Sequence, residues 1–313
     1  QKFYGTSEHD YCNKMILTPA GNFVLAGETH YSTPNHVDAF LLKVDSSGSE
    51  QWFRHYGDST QSESFNDVIL TEDGGFASCG FVTGEVGTGN DFYIVKTDAT
   101  GAATWSKNYG SERNDVAAAL RQNSDGNFVV TGDKQKPDNS YNVYLIQLDG
   151  AGEMIWDLDV SGTYNGGCKN MLINASGDYV IVGEATTPTS FAFDIYLVKA
   201  SPQGDLHWAK WIEATANGDA GFGIMEPQPN QYLITGYGYN DSLQQADIPV
   251  VYVDSEGNEL AKRYYDGGQI EIGYDIKSSI HGGFLVAGAS LANGDNQYDL
   301  IYEEIRLVSG LWE

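Results

Sequence analysis

The sequence predicts an all-β fold built from six copies of one unit, because three series of residues recur in phase. Tryptophan recurs about every 52 residues, in the series Trp52, Trp105, Trp156, Trp208 and Trp312, with Leu260 in the missing place. A Tyr-Gly pair begins at Tyr4, Tyr56 and Tyr109 and fades to Ser161-Gly162, Glu213-Ala214 and Tyr265-Asp266. A third series is Asp38, Asp91, Asn142, Asp194, Asp247 and Asp299. Six periods of 52 residues account for almost all of the 313 residues, so the repeat decides the fold class.

Each unit is predicted to contain four short β-strands, named A to D in chain order. An apolar stretch such as residues 68–70 forms strand A, and a turn with an Asp-Gly or Asn-Gly pair leads into strand B. Strand C begins at the third series, as in DFYIVKTD from Asp91, and ends in a turn with Asp first and Gly fourth, which fits a type I turn. Strand D runs from the tryptophan to the Tyr-Gly pair. No helical period of about 3.6 residues persists beyond one turn, so helices are not expected.

Four antiparallel strands repeated six times without helices are typical of a β-propeller with six four-stranded blades. An open solenoid is the alternative, and it would need distinct capping units. Residues 1–5 correspond to residues 53–57, so the chain begins inside a strand D, and it ends where that strand should start. We therefore predict that the N-terminal strand joins the last blade and closes the ring, which removes a free strand edge. The prediction is one domain over residues 1–313, a monomeric propeller able to join a larger complex.

The charge of the chain excludes several classes of partner. With 17 Lys and Arg against 43 Asp and Glu, the net charge is −26. Such an acidic surface repels phosphate backbones, so nucleic acids and anionic membranes are not expected as partners. No apolar run approaches the roughly 20 residues that span a bilayer, so membrane insertion is not predicted. The 41% of hydrophobic residues supply enough core for a folded protein.

The loops between strands B and C vary in length and content, whereas the other hairpin turns are uniform. In a propeller these loops share a face with the D to A connections, and variable loops on a rigid scaffold usually carry binding. We predict a ligand surface from the aromatic residues of these loops, namely Tyr31, Tyr141, Phe191, Phe193, Tyr237, Tyr239 and Tyr298. Flat rings with polar edges suit a sugar or a peptide. The alternative is that they only pack the loops.

A carboxylate recurs at the start of strand A. The series is Asp10, Glu63, Asp115, Asp219 and Glu271, with Gly166 in the remaining unit. Carboxylates brought close together raise each other's pKa unless a cation or hydrogen-bond donors offset the repulsion. A hard cation such as Ca²⁺ takes oxygen ligands, so a metal in the central channel is one interpretation. The other is that each carboxylate accepts backbone N–H bonds in its own loop or ties adjacent blades.

The motifs resemble two groups of propeller repeats. The string DxxGxxxW, as in Asp45 to Trp52, resembles the tryptophan-docking repeat of quinoprotein propellers, although those have one more residue between Asp and Gly and usually eight blades. Over nearly the whole chain, the pattern WxxxYG, DGGF, GxT and DxYLVKxD more closely resembles propeller repeats of secreted Bacteroidota proteins, often exported by the type IX secretion pathway. That resemblance implies a secreted or cell-surface protein and implies no activity.

The sequence favours a binding module over an enzyme. No GxSxG elbow, P-loop or Rossmann fingerprint occurs, and the six histidines lack the spacing of metal ligands. We expect a surface module that binds a glycan or a protein without an obligatory cofactor. Two alternatives stay open: a Ca²⁺-dependent, lactonase-like hydrolase with a metal at the acidic series, and a structural subunit of a surface assembly. The fold alone does not choose among them.

Overall fold

The computed structural model describes most of the chain. Outside it lie residues 1, 8, 33, 34, 59, 85–88, 163, 164, 188–191, 216, 217, 241–244, 266–269, 281, 292–298, 306, 309, 310 and 313. For residues 32, 35, 240, 299–305, 307, 308, 311 and 312 only the backbone is described. The described residues contain strands, turns and bends and no α-helix. Within this part of the chain there is accordingly no helix long and apolar enough to cross a membrane.

The chain divides into two compact units, of which the first contains residues 1–139 and 143–159. Its strands form three sheets of four strands each, hydrogen-bonded in chain order. The first sheet contains β1 (His9–Leu17), β2 (Phe23–Ser32), β3 (Asn35–Val44) and β4 (Glu50–Tyr56). The second contains β5 (Glu63–Leu70), β6 (Phe76–Thr83), β7 (Asn90–Thr97) and β8 (Ala103–Tyr109). The third contains β9 (Asp115–Gln122), β10 (Phe128–Gln135), β11 (Tyr141–Leu148) and β12 (Met154–Val160).

The second unit contains residues 140–142 and 160–313. The fourth sheet contains β13 (Gly166–Ile173), β14 (Tyr179–Thr186), β15 (Phe193–Ala200) and β16 (Leu206–Ile212). The fifth contains β17 (Asp219–Gln228), β18 (Gln231–Asn240), β19 (Gln245–Val253) and β20 (Glu259–Tyr265). The sixth contains the three strands β21 (Glu271–Ser278), β22 (Phe284–Ser290) and β23 (Asp299–Ile305). A separate two-stranded sheet pairs β24 (Leu307–Val308) with β25 (Leu311–Trp312).

The predicted pattern of four antiparallel strands is confirmed for five repeats, since the described residues form five four-stranded sheets. The sixth repeat contributes a three-stranded sheet. Completion of that sheet by the N-terminal strand, closure of a ring and a single domain over residues 1–313 stay predictions.

A one-residue β-bulge interrupts the first strand of each of the six larger sheets. The residues that the pairing skips are Asn13, Asn66, Ala118, Lys169, Phe222 and Tyr274. Opposite each bulge, the second strand carries a glycine: Gly27, Gly80, Gly132, Gly183, Gly236 and Gly288. A Cβ on Gly80 would lie 1.9 Å from the carbonyl oxygen of Ser64, and the other five glycines are equally confined by a first-strand carbonyl. The Gly of the GxT motif is therefore required by the bulge.

Aromatic side chains join neighbouring sheets inside each unit. The ring of Trp52 lies 5.8 Å from that of Phe76, and Trp105 lies at the same distance from Phe128 in the next sheet. In the second unit, Trp208 packs on the cluster that contains the fully buried Tyr232. The tryptophan of one repeat thus covers the aromatic residue that is first or second in the second strand of the following repeat. These contacts place the hydrophobic core between the sheets.

Leu260 does not occupy the tryptophan position in the fifth sheet, contrary to the sequence interpretation. In the first sheet Trp52 pairs with Lys43, and the equivalent residue in the fifth sheet is Ala261, which pairs with Tyr252. Leu260 is 51% exposed, whereas Ala261 packs against the core shared by the fifth and sixth sheets. One residue of register moves a side chain to the other face of a strand, so the spacing alone misplaced it.

The tyrosine of the Tyr-Gly pair links one repeat to the next. The hydroxyl of Tyr56 donates to the carbonyl oxygen of Gly101 at 2.7 Å, and that of Tyr109 donates to Gly152. Tyr4 makes the same bond to the carbonyl of Gly48 at 2.6 Å, although it precedes β1. Strand pairing places Ile212 at this position in the fourth sheet, so the predicted alignment of Glu213-Ala214 was one residue too late.

We expect Gly80→Ala to destabilise the protein by about 3 kcal/mol, because the added methyl group meets a backbone carbonyl that cannot move without breaking the strand pairing. Urea denaturation followed by circular dichroism measures this change. Gly150→Ala is the matched control, since a Cβ there meets nothing within 4 Å. Similar stability losses in the two variants would show that the bulge does not require the glycine.

Candidate functional site

The five predicted carboxylates all lie at the start of a first strand. Glu63, Asp115, Asp219 and Glu271 begin β5, β9, β17 and β21, and Asp10 is the second residue of β1. The first four are buried, and Asp10 is partly exposed. The carboxylates that recur in the sequence thus occupy equivalent positions in five of the sheets.

Three of these carboxylates accept a backbone N–H from the residue four positions earlier. Thr6 donates to Asp10 at 2.7 Å, Ser111 donates to Asp115 at 2.6 Å and Thr215 donates to Asp219 at 2.7 Å. Asp219 also accepts the backbone N–H of Ala214 at 2.8 Å. Each carboxylate therefore caps the connection that enters its own sheet, as the non-metal interpretation of the sequence predicts.

The remaining two carboxylates have different partners. Glu63 accepts a backbone hydrogen bond from Asp58, and Glu271 accepts the hydroxyl of Ser290 at 3.1 Å. At Glu63 the glycine of the Tyr-Gly pair makes the room, because a Cβ on Gly57 would lie 2.3 Å from Oε2 of Glu63. The φ angle of Gly57 is 137°, which also favours glycine. A Cβ on Gly5 would likewise lie too close to the carboxylate of Asp10. The glycine of the Tyr-Gly pair therefore leaves room for the carboxylate that follows it.

Burial shifts the ionisation of two of these groups. Burial raises the pKa of Asp219 to about 6, against the lowering effect of its bonds from Thr215 and Ala214. Burial together with the charges of Asp38 and Asp58 raises the pKa of Glu63 to about 7. Carboxyl groups that titrate near neutrality are found at functional sites and also in structural networks.

The structure does not assemble the acidic series into a metal centre in the part it describes. Across the described residues, no group of three or more His, Cys, Asp or Glu side chains is arranged to hold a metal ion. A channel Ca²⁺ held by Asp10, Glu63, Asp115, Asp219 and Glu271 stays a prediction.

The predicted aromatic residues occupy several strands. Phe191 and Tyr298 lie outside the described residues. Tyr31 on β2 stacks on His36 with ring centroids 4.8 Å apart. The backbone N–H of Tyr141 donates to Asn165, and Phe193 begins β15 opposite Thr186. Tyr237 and Tyr239 both lie on β18, where the carbonyl of Tyr239 accepts the hydroxyl of Thr215.

Tyr237 belongs to a cluster of three rings in the second unit. Its ring centroid lies 5.9 Å from that of Phe222, which lies 5.8 Å from that of Tyr274. Phe222 and Tyr274 are the bulge residues of β17 and β21. Tyr274 is 52% exposed, and Phe222 and Tyr237 are partly exposed. We call Phe222, Tyr237 and Tyr274 the aromatic cluster.

An ion pair lies beside the aromatic cluster. Lys169, the bulge residue of β13, contacts Glu184 with 3.0 Å between Nζ and Oε1. Burial raises the pKa of Tyr237, the charge of Glu184 raises it further and that of Lys169 lowers it. The surface thus combines flat apolar rings with hydrogen-bonding groups, which is the usual composition of a small-molecule site.

Sequence reasoning missed Phe222 and Tyr274 because the search for a binding surface followed the loops. The bulge residues of the first two sheets are Asn13 and Asn66, whose side chains donate to the carbonyls of Phe65 and Ala117 at 2.9 Å in each case. The signal available in the sequence was an aromatic residue at the position where the first two repeats have asparagine. An aromatic side chain there does not take over the hydrogen bond of the amide and exposes a ring instead.

Comparison with known proteins identifies the fold. No family model matches the sequence, and no curated protein matches it. A protein of unknown function from Dyadobacter fermentans is 12% identical with a TM-score of 0.59, over 95% of this chain and 96% of that chain. An α-L-arabinofuranosidase from Fusarium graminearum is 10% identical with a TM-score of 0.58, over 93% of this chain and 91% of that one. The β-propeller domain of the Trilobed protease from Pyrococcus furiosus is 10% identical with a TM-score of 0.54, over 97% and 85%. At these identities the likeness shows the fold alone, an all-β fold of the β-propeller class.

We expect Asp219→Ala to cost about 3 kcal/mol of stability, because it leaves the buried N–H group of Ala214 and the partly buried N–H group of Thr215 without an acceptor. Asp219→Asn keeps an oxygen acceptor and should lose less than about 1 kcal/mol. Urea denaturation at pH 7 with EDTA and then with Ca²⁺ distinguishes capping from metal binding. Equal losses in the two variants, or a loss seen only with Ca²⁺, would contradict the capping role.

Proposed function

We propose that the chain is a binding module that takes a glycan on the aromatic cluster. The observation that carries the proposal is the contact of Phe222 with both Tyr237 and Tyr274, with interplanar angles of 32° and 40°. Tyr274 is 52% exposed and Phe222 and Tyr237 are partly exposed, so the three rings offer apolar surface on which the faces of pyranose rings can stack. Tyrosine hydroxyls and the Lys169–Glu184 pair supply donors and acceptors for sugar hydroxyls.

The charge of the protein restricts the class of glycan. A chain with a net charge of −26 repels polyanions over distances up to the screening length, so an uncharged glycan fits better than a sulfated or uronic one. The resemblance to secreted propeller repeats further supports the proposal that the module works outside the cell or at its surface. A protein ligand at the same aromatic cluster is an alternative outcome of the test below.

We also propose that the first five residues complete the sixth sheet and close a ring. The support lies in the first unit, where the hydroxyl of Tyr4 bonds to Gly48 as that of Tyr56 bonds to Gly101. Gly5 likewise faces Asp10 as Gly57 faces Glu63. These contacts of Tyr4 and Gly5 support the proposal that this segment acts as a preceding fourth strand beside the first sheet. Deletion of these residues should lower the melting temperature by several degrees, while an intact melting curve would contradict closure.

For the glycan proposal we expect Tyr274→Ala to weaken binding at least tenfold, about 1.4 kcal/mol, because the exposed ring loses its stacking contact. A screen of uncharged oligosaccharides on an array supplies the ligand, and isothermal titration calorimetry measures its affinity. Phe222→Ala, at the centre of the aromatic cluster, should weaken binding more strongly.

Tyr11→Ala is the matched control, since Tyr11 is 53% exposed on β1, the first strand of the first sheet, and Tyr274 is 52% exposed on β21. Binding that survives Tyr274→Ala and Phe222→Ala, or that is lost equally in Tyr11→Ala, would contradict the site. Cleavage of the bound oligosaccharide would favour the hydrolase alternative, and retention of a protein alone would favour an assembly role.

A further inference from the structure

The Lys169–Glu184 ion pair and the aromatic cluster occupy equivalent positions in neighbouring sheets of the second unit. Lys169 is the bulge residue of β13, and Glu184 follows the glycine that lies opposite this bulge on β14. In the next sheet, Phe222 is the bulge residue of β17, and Tyr237 follows the corresponding Gly236 on β18. The fourth sheet thus places two charged groups where the fifth sheet places two aromatic rings.

Contacts between the fourth and fifth sheets show that the two sets are adjacent. Asn170, which follows Lys169, donates from Nδ2 to the carbonyl oxygen of Phe222 at 3.3 Å. After burial, the charges of Glu184 and Lys169 have the largest effects on the pKa of Tyr237, so both groups act on its hydroxyl. A ligand that covers the rings of Phe222 and Tyr237 can therefore also reach the ion pair.

The carboxylate of Glu184 is not covered from the neighbouring strand. Residues directly opposite each other in an antiparallel pair project from the same face of the sheet. Glu184 lies opposite Gly167, which has no side chain and is partly exposed. In the other five larger sheets the residue at this place carries a side chain, namely Tyr11, Ser64, Val116, Ala220 and Ile272.

The acidic series is interrupted on the same strand. β13 begins with Gly166, whereas the first strands of the other five larger sheets carry a carboxylate as their first or second residue. One ammonium and one carboxylate give the ion pair no net charge, and Gly166 adds none beside it. An uncharged ligand therefore suits this part of the surface.

We propose that the Lys169–Glu184 ion pair makes the site selective for uncharged 1,4-linked glycans, whose sugar residues keep free hydroxyls at C2 and C3. This inference rests on the proposed function, in which a glycan stacks on the aromatic cluster. Nζ of Lys169 and Oε1 of Glu184 lie 3.0 Å apart. Two hydroxyls on neighbouring ring carbons are separated by a similar distance, about that of a hydrogen bond at roughly 3 Å. One hydroxyl accepts from the ammonium and the other donates to the carboxylate, and hydrogen bonds to charged groups are the stronger ones.

A different linkage removes this recognition. In a 1,3-linked chain of glucose, the oxygen at C3 of each internal residue carries the next sugar and has no proton to donate. No internal residue of that chain then has two neighbouring free hydroxyls. The ligand would take water from Glu184 without replacing its hydrogen bond, and a site built to bond a hydroxyl discriminates strongly against a ligand that lacks it.

The ion pair can be changed without loss of the fold. The side chains of Lys169 and Glu184 are 33% and 20% exposed. A single pair that solvent reaches in this way contributes little to folding stability. We therefore expect Lys169→Met and Glu184→Ala to fold, and thermal melting curves check this before binding is measured.

Cellohexaose and laminarihexaose test the proposal, because they are uncharged glucose chains of equal length with 1,4 and 1,3 linkages. Isothermal titration calorimetry at pH 7 should show that the wild type binds cellohexaose about tenfold more tightly, or better. Lys169→Met and Glu184→Ala should each abolish this preference, while the weaker affinity for laminarihexaose changes little because stacking remains. Lys107→Met is the matched control and should keep the preference, since Lys107 is 35% exposed and pairs with Glu153 at 2.7 Å in the first unit.

The outcomes separate this inference from the proposed function. Equal affinity of the wild type for the two hexasaccharides, or a preference that persists in Lys169→Met and Glu184→Ala, would overturn the inference and leave glycan binding in place. Binding of neither hexasaccharide would overturn it as well, and the proposed function would stand if the array gives another uncharged glycan. Affinities that Phe222→Ala leaves unchanged would instead overturn the proposed function.

Discussion

A β-bulge in the first strand of each large sheet is the constraint on which the rest of the structure depends. The extra residue turns a carbonyl toward the second strand, as Ser64 does toward Gly80, and only glycine leaves room for it. The bulge also removes one side chain from the alternation of the strand and directs it away from the pairing. In the first unit, the side chains of the bulge residues Asn13 and Asn66 donate hydrogen bonds to the next sheet. In the second unit, the bulge residues Phe222 and Tyr274 contact each other and form part of the aromatic cluster.

The beginning of the same strand carries the acidic series, and its chemistry explains the Tyr-Gly marker. Tyr56 bonds to the next repeat through its hydroxyl, and Gly57 leaves space for Glu63. A carboxylate at the start of the first strand stabilises the connection before it. Asp219, for example, accepts two backbone N–H groups of that connection, which would otherwise lack a hydrogen-bond acceptor. Burial, and after it the charges of Asp38 and Asp58, raises the pKa of Glu63.

Much of the fold could be predicted from the sequence, because a repeat of 52 residues shows each strand and turn six times over. The order of strands and the position of the acidic series followed from that repetition. The bulges could not be predicted, because one skipped residue leaves the period unchanged and alters only the face of the residues around it. For the same reason Leu260 was assigned to the tryptophan position that Ala261 occupies. Tyr237 was predicted as a site residue from its loop, but its partners Phe222 and Tyr274 come from bulges.

The carboxylates and the proposed binding surface thus use different side chains of the same strands. The carboxylates hold the connections between sheets, and the bulge residues of the second unit provide the exposed rings. Amide hydrogen exchange in calcium-free buffer tests this division most directly, at the N–H groups of Ser111 and Thr215 that bond to Asp115 and Asp219. The account predicts exchange nearly as slow as that of the core strands. Exchange at the rate of an unstructured peptide would show that the carboxylates do not hold these connections, and would contradict the account.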